Sequence, residues 1–408
     1  MLNIFTKVQT WLAISIFAGA AVFAEPCKSK NCVIVPERGH EMSEGQVMPA
    51  YGAPALLDVR NSWEVYGTGS FIYWQARQEN MEIGLISEND PEGKLTVGPD
   101  SPFRTAYVNN TTITSPHFIF RAGFKIGLGA RLDWDGWDAL AEYTWYHGKV
   151  STGVRPLPPS TVGGGATHPN GEYLYPFQGT PGGNGNIDVP VAFFFQSADQ
   201  SWKLKMDFLD LSLARAYYSG TKLTVRPFFG VRGAWIRQGL KTSYTGNASY
   251  LDNDSAGYYE TKITNFYSSW GLGPRTGFES NWMMGRGFRL IGNGSGDILY
   301  TRYSLHSGQQ THLIVPPGGG LNPIETNISV TQEIDYLRTH LDLGLGFGWG
   351  TYFYHNDYHF DLAATYGFQV FWNQNMFRNF ENSLTAASFA PNGDLFVHGV
   401  TLNARFDF

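Results

Sequence analysis

The stretch from Phe118 to Leu132 restricts what this chain can fold into. Phe118, Phe120, Ala122, Phe124, Ile126, Leu128, Ala130 and Leu132 alternate with Arg121, Gly123, Lys125, Gly127, Gly129 and Arg131. Strict period-two alternation is the signature of a β-strand with two unlike faces. Soluble strands usually stop after about 5–6 residues, and this one runs well past that. One face is wholly apolar, while from Arg121 onward the other holds only glycine and charge.

The same pattern recurs along the chain. Trp137, Ala139, Ala141, Tyr143 and Trp145 share a face after the turn at Asp133–Gly136. Further apolar faces run from Leu223 to Trp235, Trp270 to Met284, Leu337 to Trp349 and Tyr358 to Trp372. Strands near 63–76, 203–217 and 288–303 are weaker, and their phase is not fixed by the pattern. Helical periodicity is scarce. The fold class that follows is all-β.

A soluble sandwich also alternates, with its apolar face turned inward. Three features favour a transmembrane antiparallel β-barrel instead. Strands of about 12–16 residues exceed the ~9–11 needed to cross a bilayer with tilt. Aromatic residues gather towards strand ends, at Trp137, Trp145, Trp235, Trp282, Trp349, Tyr358 and Trp372, as interfacial girdles do. The chain ends with Val400, Leu402, Ala404, Phe406 and Phe408 alternating with polar residues. Such a strand, closing on Phe408, is what bacterial outer-membrane barrels offer to their assembly machinery.

Composition agrees. Charged residues make up 16 % and glycine 48 of 408 residues, against norms of about 25 % and ~7 %. A net charge of -6 gives no basic footprint for nucleic acid. Only two cysteines are present, so neither a disulfide framework nor a cysteine metal site is available. No cofactor is expected.

Residues 1–24 read as a signal peptide, with Lys7 ahead of an apolar core and small residues at Val22 and Ala24. A membrane anchor and lipid attachment at Cys27 are the alternatives. Residues 25–62 form a periplasmic leader, in which Cys27 and Cys32 could form a local disulfide after export. Residues 63–408 form the barrel. Beyond Ala24 no run of about 18 apolar residues occurs, so helical spans are not expected.

Short connections fall near 133–136, 218–222, 285–287 and 350–357, and long ones near 77–116, 149–201, 240–263, 305–330 and 373–394. Short periplasmic turns and long extracellular loops are the rule in such barrels. They count to ten strands, with both termini in the periplasm. Hairpins hidden in the longest loops would raise the count to between ten and fourteen. Glycine clusters at 163–165 and 182–185 lack the Lys-Ser/Thr of a phosphate loop and read as loop punctuation.

Several segments resemble the Legionella-type major outer-membrane protein family, which also occurs in environmental chlamydiae. They are Gly123–Gly129, Asp135–Asp138, Glu142–Trp145, Arg226–Ile236, Gly271–Arg275 and Leu402–Phe408. The likeness extends from about Gly69 to Phe408. It implies a pore-forming, porin-like outer-membrane barrel without catalytic residues.

On that reading the inward charges set conductance and selectivity. The candidates are Arg121, Lys125, Arg131, Arg226, Arg232, Arg275 and Arg338, with Asp138, Glu142, Glu279, Asp342, Asp361 and Asp407. His340, His359 and Arg405 join them. An outward arginine would cost roughly 2–4 kcal/mol at mid-bilayer, which favours an inward position. Inward glycines at 127, 129, 230, 271, 273, 344, 346 and 348 should leave room in the lumen. The alternative is that the charges pair across a plugged barrel.

Two His-x-Asp pairs, His340/Asp342 and His359/Asp361, raise the question of catalysis. Pairing through the 350–357 turn should set His340 opposite Gly367 and Asp361 opposite Gly346. The pairs would then lie about 20 Å apart, far beyond hydrogen-bond reach. An enzyme is not expected. The function that follows is passive diffusion of ions and small hydrophilic solutes. A surface adhesin or structural protein with a plugged barrel is the alternative. Expected partners are outer-membrane lipid, the assembly machinery and a second copy of the chain.

Overall fold

A computed structural model describes residues 59, 64–88, 109–132, 136–156, 172–178, 195–250, 253–314, 324–382 and 387–408. The signal peptide, Cys27 and Cys32, and nearly all of the leader lie outside these residues. Among the described residues there is no helix.

Ten long strands form the wall. They are β1 (Val65–Gln78), β2 (Phe120–Arg131), β3 (Trp137–Val154), β4 (Ser197–Arg215) and β5 (Leu223–Tyr250). They continue with β6 (Asn253–Gly285), β7 (Phe288–Ile314), β8 (Ile324–Phe353), β9 (Tyr358–Phe371) and β10 (Leu395–Asp407). Each pairs antiparallel with its neighbours in chain order. β10 returns to β1, from Tyr66 opposite Asp407 to Gln78 opposite Leu395. Closure leaves no strand edge, so the wall's backbone groups are paired even where no water reaches them. Ten strands is the number the connections counted.

The alternating faces resolve as expected. Phe124, Ile126, Leu128, Val231, Trp235, Leu272, Leu345, Phe347, Phe368 and Leu402 point outward and are exposed in the isolated chain. Large apolar side chains at this density on an outer wall require lipid around them.

The turns at the periplasmic end are tight. Arg286 and Gly287 both have positive φ, 52° and 82°, as a two-residue hairpin turn requires. A Cβ at 287 would also strike the Gly350 carbonyl. Between β8 and β9 the turn spans Tyr354–Asp357 and closes with Asp357 N–H donating to the Tyr354 carbonyl at 3.1 Å. This puts His340 opposite Phe371 and Asp361 opposite Gly350. The expected register is therefore off by four residues, because the turn tip lies further along the chain than the sequence pattern placed it.

Two of the expected long loops are mostly strand. β5 and β6 stay paired up to Tyr250 and Asn253, and β7 and β8 up to Leu313 and Ile324. At 28, 33, 27 and 30 residues, these strands outrun what any bilayer needs. Above the lipid band their outer faces become polar, at Lys241, Ser243, Lys262, Arg302, Ser304 and Glu333. The apolar/polar alternation fades there, but the hydrogen-bond ladder does not depend on it.

The extension is capped. Residues 84–88 pair on one side with 109–114 and on the other with 172–176. Ile83, Leu174, Phe195, Tyr244, Ile263, Ile328 and Phe380 form a small core beneath that sheet.

Candidate functional site

The inner wall of the barrel carries the chemistry, and it is layered. Nearest the periplasmic turns, Tyr66 O–H donates to Asp138 at 2.7 Å. Arg226 bridges Asp138 at 2.5 Å and Glu279 at 2.9 Å. Arg131 and Arg405 both donate to Asp407, at 2.6 and 2.7 Å, and the Arg405 guanidinium lies 3.7 Å from the Tyr66 ring centre. His359 Nδ1 is 3.3 Å from Asp407. Arg289 reaches Asp361 at 2.5 Å.

The middle layer centres on Arg232. It forks onto Asp210 with Nε–Oδ1 at 2.6 Å and Nη2–Oδ2 at 2.7 Å, and its Nη1 donates to Asp297 at 2.8 Å. His340 Nδ1 lies 2.9 Å from both Asp297 Oδ2 and Arg232 Nη1. It can donate to the carboxylate or accept from the guanidinium, but not both at once. Arg275 contacts Asp210 at 3.2 Å and Ser295 at 3.0 Å. Asp342, opposite Ser295, lies on the same inner face two residues along β8 from His340. Lys125 and Glu142 pair more loosely, at 3.4 Å.

These groups do not face open water. The side chains of Arg232 and Asp210 are each 4 % exposed and Asp297 is fully buried. Further out, the inner face turns apolar. Trp74, Met206, Phe208, Ile236, Leu299, Tyr303 and Phe371 form one cluster with Met376 and Phe377. The last two belong to a connection that enters the barrel. Tyr267 O–H donates to the Gln374 carbonyl at 2.6 Å, and Tyr303 O–H to its side-chain oxygen at 2.9 Å. Between the layers, a cavity beside His340, Arg338, Ser269 and Gln374 has room for about one water.

The room expected from inward glycines is therefore taken up. A Cβ on Gly129 would enter the Tyr66 ring, one on Gly344 would strike Asn293, and one on Gly348 would meet Ile291 and Arg289. Neighbouring side chains lie over these glycines, so the glycines allow close packing rather than a channel.

Most of the expected residues share this network. Arg131, Asp138, Arg226, Arg232, Arg275, Glu279, His340, Asp342 and Asp361 lie within it, and Lys125 and Glu142 beside it. Arg338 sits higher, stacked 4.4 Å from the Tyr336 ring centre and donating through Nε to the Tyr303 phenol oxygen at 3.1 Å. Arg121 lies apart near the outer rim, exposed, and donates to the Lys149 carbonyl at 2.8 Å. The residues that sequence reasoning missed as lining are Tyr66, Asp210, Arg289 and Asp297. All four fall on β1, β4 and β7, whose phase the pattern left open.

The two His-x-Asp pairs are occupied separately. His340 sits against Asp297 and His359 against Asp407, and Asp361 is held by Arg289. With Asp361 opposite Gly350, ten positions separate it from His340's register partner, about 34 Å along the sheet.

Comparison with known proteins adds the family. No curated protein matches the chain. Among solved structures, the outer membrane protease OmpT from Escherichia coli is similar at 9 % identity, over 87 % of this chain and 99 % of that one, with a TM-score of 0.32. A FadL homologue from Pseudomonas aeruginosa is similar at 6 % identity, over 84 % and 89 %, with a TM-score of 0.24. The Pseudomonas putida toluene transporter TodX is similar at 8 % identity, over 85 % and 89 %, with a TM-score of 0.21. Likenesses this distant say nothing about what this chain does. Residues 58–408 match the family described as "Legionella pneumophila major outer membrane protein precursor", and the chain, a closed ten-stranded outer-membrane barrel, belongs to that family.

Proposed function

We propose that the protein is a porin-like barrel whose passage is shut in this structure and opens by rearrangement of its interior. It would then pass ions and small hydrophilic solutes by diffusion. The observation that carries this reading is the charged inner wall, from Arg131 and Asp407 up to Arg232. A barrel of this size could be filled with apolar side chains. Buried ion pairs are often no more stabilising than apolar packing of similar volume, so stability alone does not call for such a wall. A lumen lined by charge suits hydrated ions. The outer obstruction also supports the reading, because Met376 and Phe377 belong to a connection outside the wall's hydrogen-bond ladder, so that displacing it would leave the wall closed.

A second reading is favoured by the filled interior itself. A permanently closed barrel, with four strands extended past the membrane under a cap, suits a structural or adhesive surface protein. On either reading, we assign His340, His359 and their carboxylates to packing of the inner wall rather than to catalysis. Lipid, the assembly machinery at the Phe408 strand and a second copy remain the partners we propose.

Single-channel recording in a planar bilayer tests this, with wild type beside Phe377→Ala. Discrete steps that become larger or more frequent in the variant support a gated pore. Silence from both, with heat-modifiable migration showing folded barrels, would overturn it in favour of the closed surface protein.

A further inference from the structure

Above the lipid-facing band, the outer wall of β3, β4 and β5 carries basic side chains in register with one another. His147 is opposite Lys205, which is opposite Arg237. One step outward, Lys149 is opposite Lys203. Lys241, opposite Ser201, completes the patch. Lys149, Lys203, Lys205, Arg237 and Lys241 are all exposed.

Like charges directly opposite on neighbouring strands destabilise a sheet, so this arrangement calls for an anion. Among the described residues, Asp207 is the acid that meets these side chains within the wall. It accepts from Tyr143 at 2.9 Å and lies 3.3 Å from both His147 and Arg237. The other nearby acid, Asp199, is held by Arg155 at 2.7 Å. Among the described residues, no anion pairs with Lys149, Lys203, Lys205 or Lys241.

Position identifies the missing anion. Immediately below lie Trp145, Trp235 and Trp270, with Leu209 and Leu211 beneath them, exposed at 41 % and 53 %. Cations directly above an aromatic girdle meet the headgroup layer. The patch is on the side of the long connections, the extracellular face.

We propose that this surface binds the phosphate groups of an anionic lipid of the outer leaflet, with Lys149, Lys203, Lys205 and Lys241 around the headgroup. The acyl chains lie against Leu209, Leu211, Trp145 and Trp235. The proposal rests on the outer-membrane assignment and is independent of whether the barrel conducts.

The test uses the full folded chain in phosphatidylcholine nanodiscs doped with a bisphosphorylated glucosamine glycolipid. Wild type is compared with Lys203→Ala/Lys205→Ala/Lys241→Ala and with Lys222→Ala at the opposite end of the barrel. Lipid retained on the protein is counted by native mass spectrometry. Wild type and Lys222→Ala should retain the glycolipid. The triple variant should bind it on the order of 100-fold more weakly. The dephosphorylated glycolipid should not be retained. Equal retention by all three proteins would overturn the proposal. So would retention of the dephosphorylated lipid, or displacement of the glycolipid by inorganic phosphate alone. Should the triple variant fail to fold, the salt dependence of wild-type retention decides: insensitivity to salt would overturn the proposal.

Discussion

Arg232 and Asp210 stand directly opposite each other on β5 and β4 and meet through two parallel hydrogen bonds at 2.6 and 2.7 Å. Both side chains are almost completely buried. The fork matches guanidinium to carboxylate geometry, and Asp297 and His340 extend it across the barrel to β7 and β8.

Removing the arginine should therefore be costly. Arg232→Ala leaves Asp210 and Asp297 buried with less compensation, and a loss of about 3–5 kcal/mol is expected. Asp210→Ala should cost a similar amount, and the double variant clearly less than the sum. Equilibrium urea unfolding of the refolded barrel in lipid vesicles measures all three.

The looser pair provides a contrast. Lys125 and Glu142 are 3.4 Å apart and each keeps some solvent contact, at 17 % and 19 % exposure. Lys125→Ala should change stability by no more than ~1 kcal/mol in the same assay. A loss as large as that of Arg232→Ala would show that the ranking by burial is wrong.

Two glycines should respond in opposite ways. Gly129 lies under the Tyr66 ring, so Gly129→Ala should cost about 1–3 kcal/mol through overpacking. Gly67 has open space where a Cβ would go, and Gly67→Ala should be neutral or slightly stabilising. Their unfolding midpoints, compared side by side, check this.

The height of the lipid band can be read by arginine substitution. Leu345 is 70 % exposed on the outer wall of β8, between Leu337 and Trp349. Leu345→Arg should cost roughly 2–4 kcal/mol in a bilayer. Ser304→Arg, on the outer face of β7 beyond Tyr300, whose ring lies edge-on to Trp270 of the girdle, and opposite Glu333, should be close to neutral. Equal costs at the two sites would place the membrane boundary elsewhere.

Much of the barrel could be read directly from the chain. In Phe118–Leu132 and the strands like it, lipid outside and packed polar groups inside impose opposite demands on successive residues, so side-chain direction is written every second position. The strand count followed from the turns. By contrast, the lumen's contents were only half legible. Arg226, Arg232 and Arg275 were recognisable because an arginine facing lipid is too costly. Asp210, Asp297 and Tyr66 were not, since β4, β7 and β1 carry small, polar or doubly apolar faces that blur the phase.

The alternation, with the strand lengths, the aromatic strand ends and the spacing of the turns, thus determined that the chain is a barrel, which face meets lipid in the strands whose phase it fixed, and how many strands cross. Only the tertiary structure decided which charges pair, that Phe371 and Phe377 fill the outer half of the lumen, and how far β5 to β8 rise above the membrane. Those outcomes depend on register across strands distant in sequence and on the volume enclosed when β10 closes on β1. Neither quantity is carried by the periodicity of any one strand.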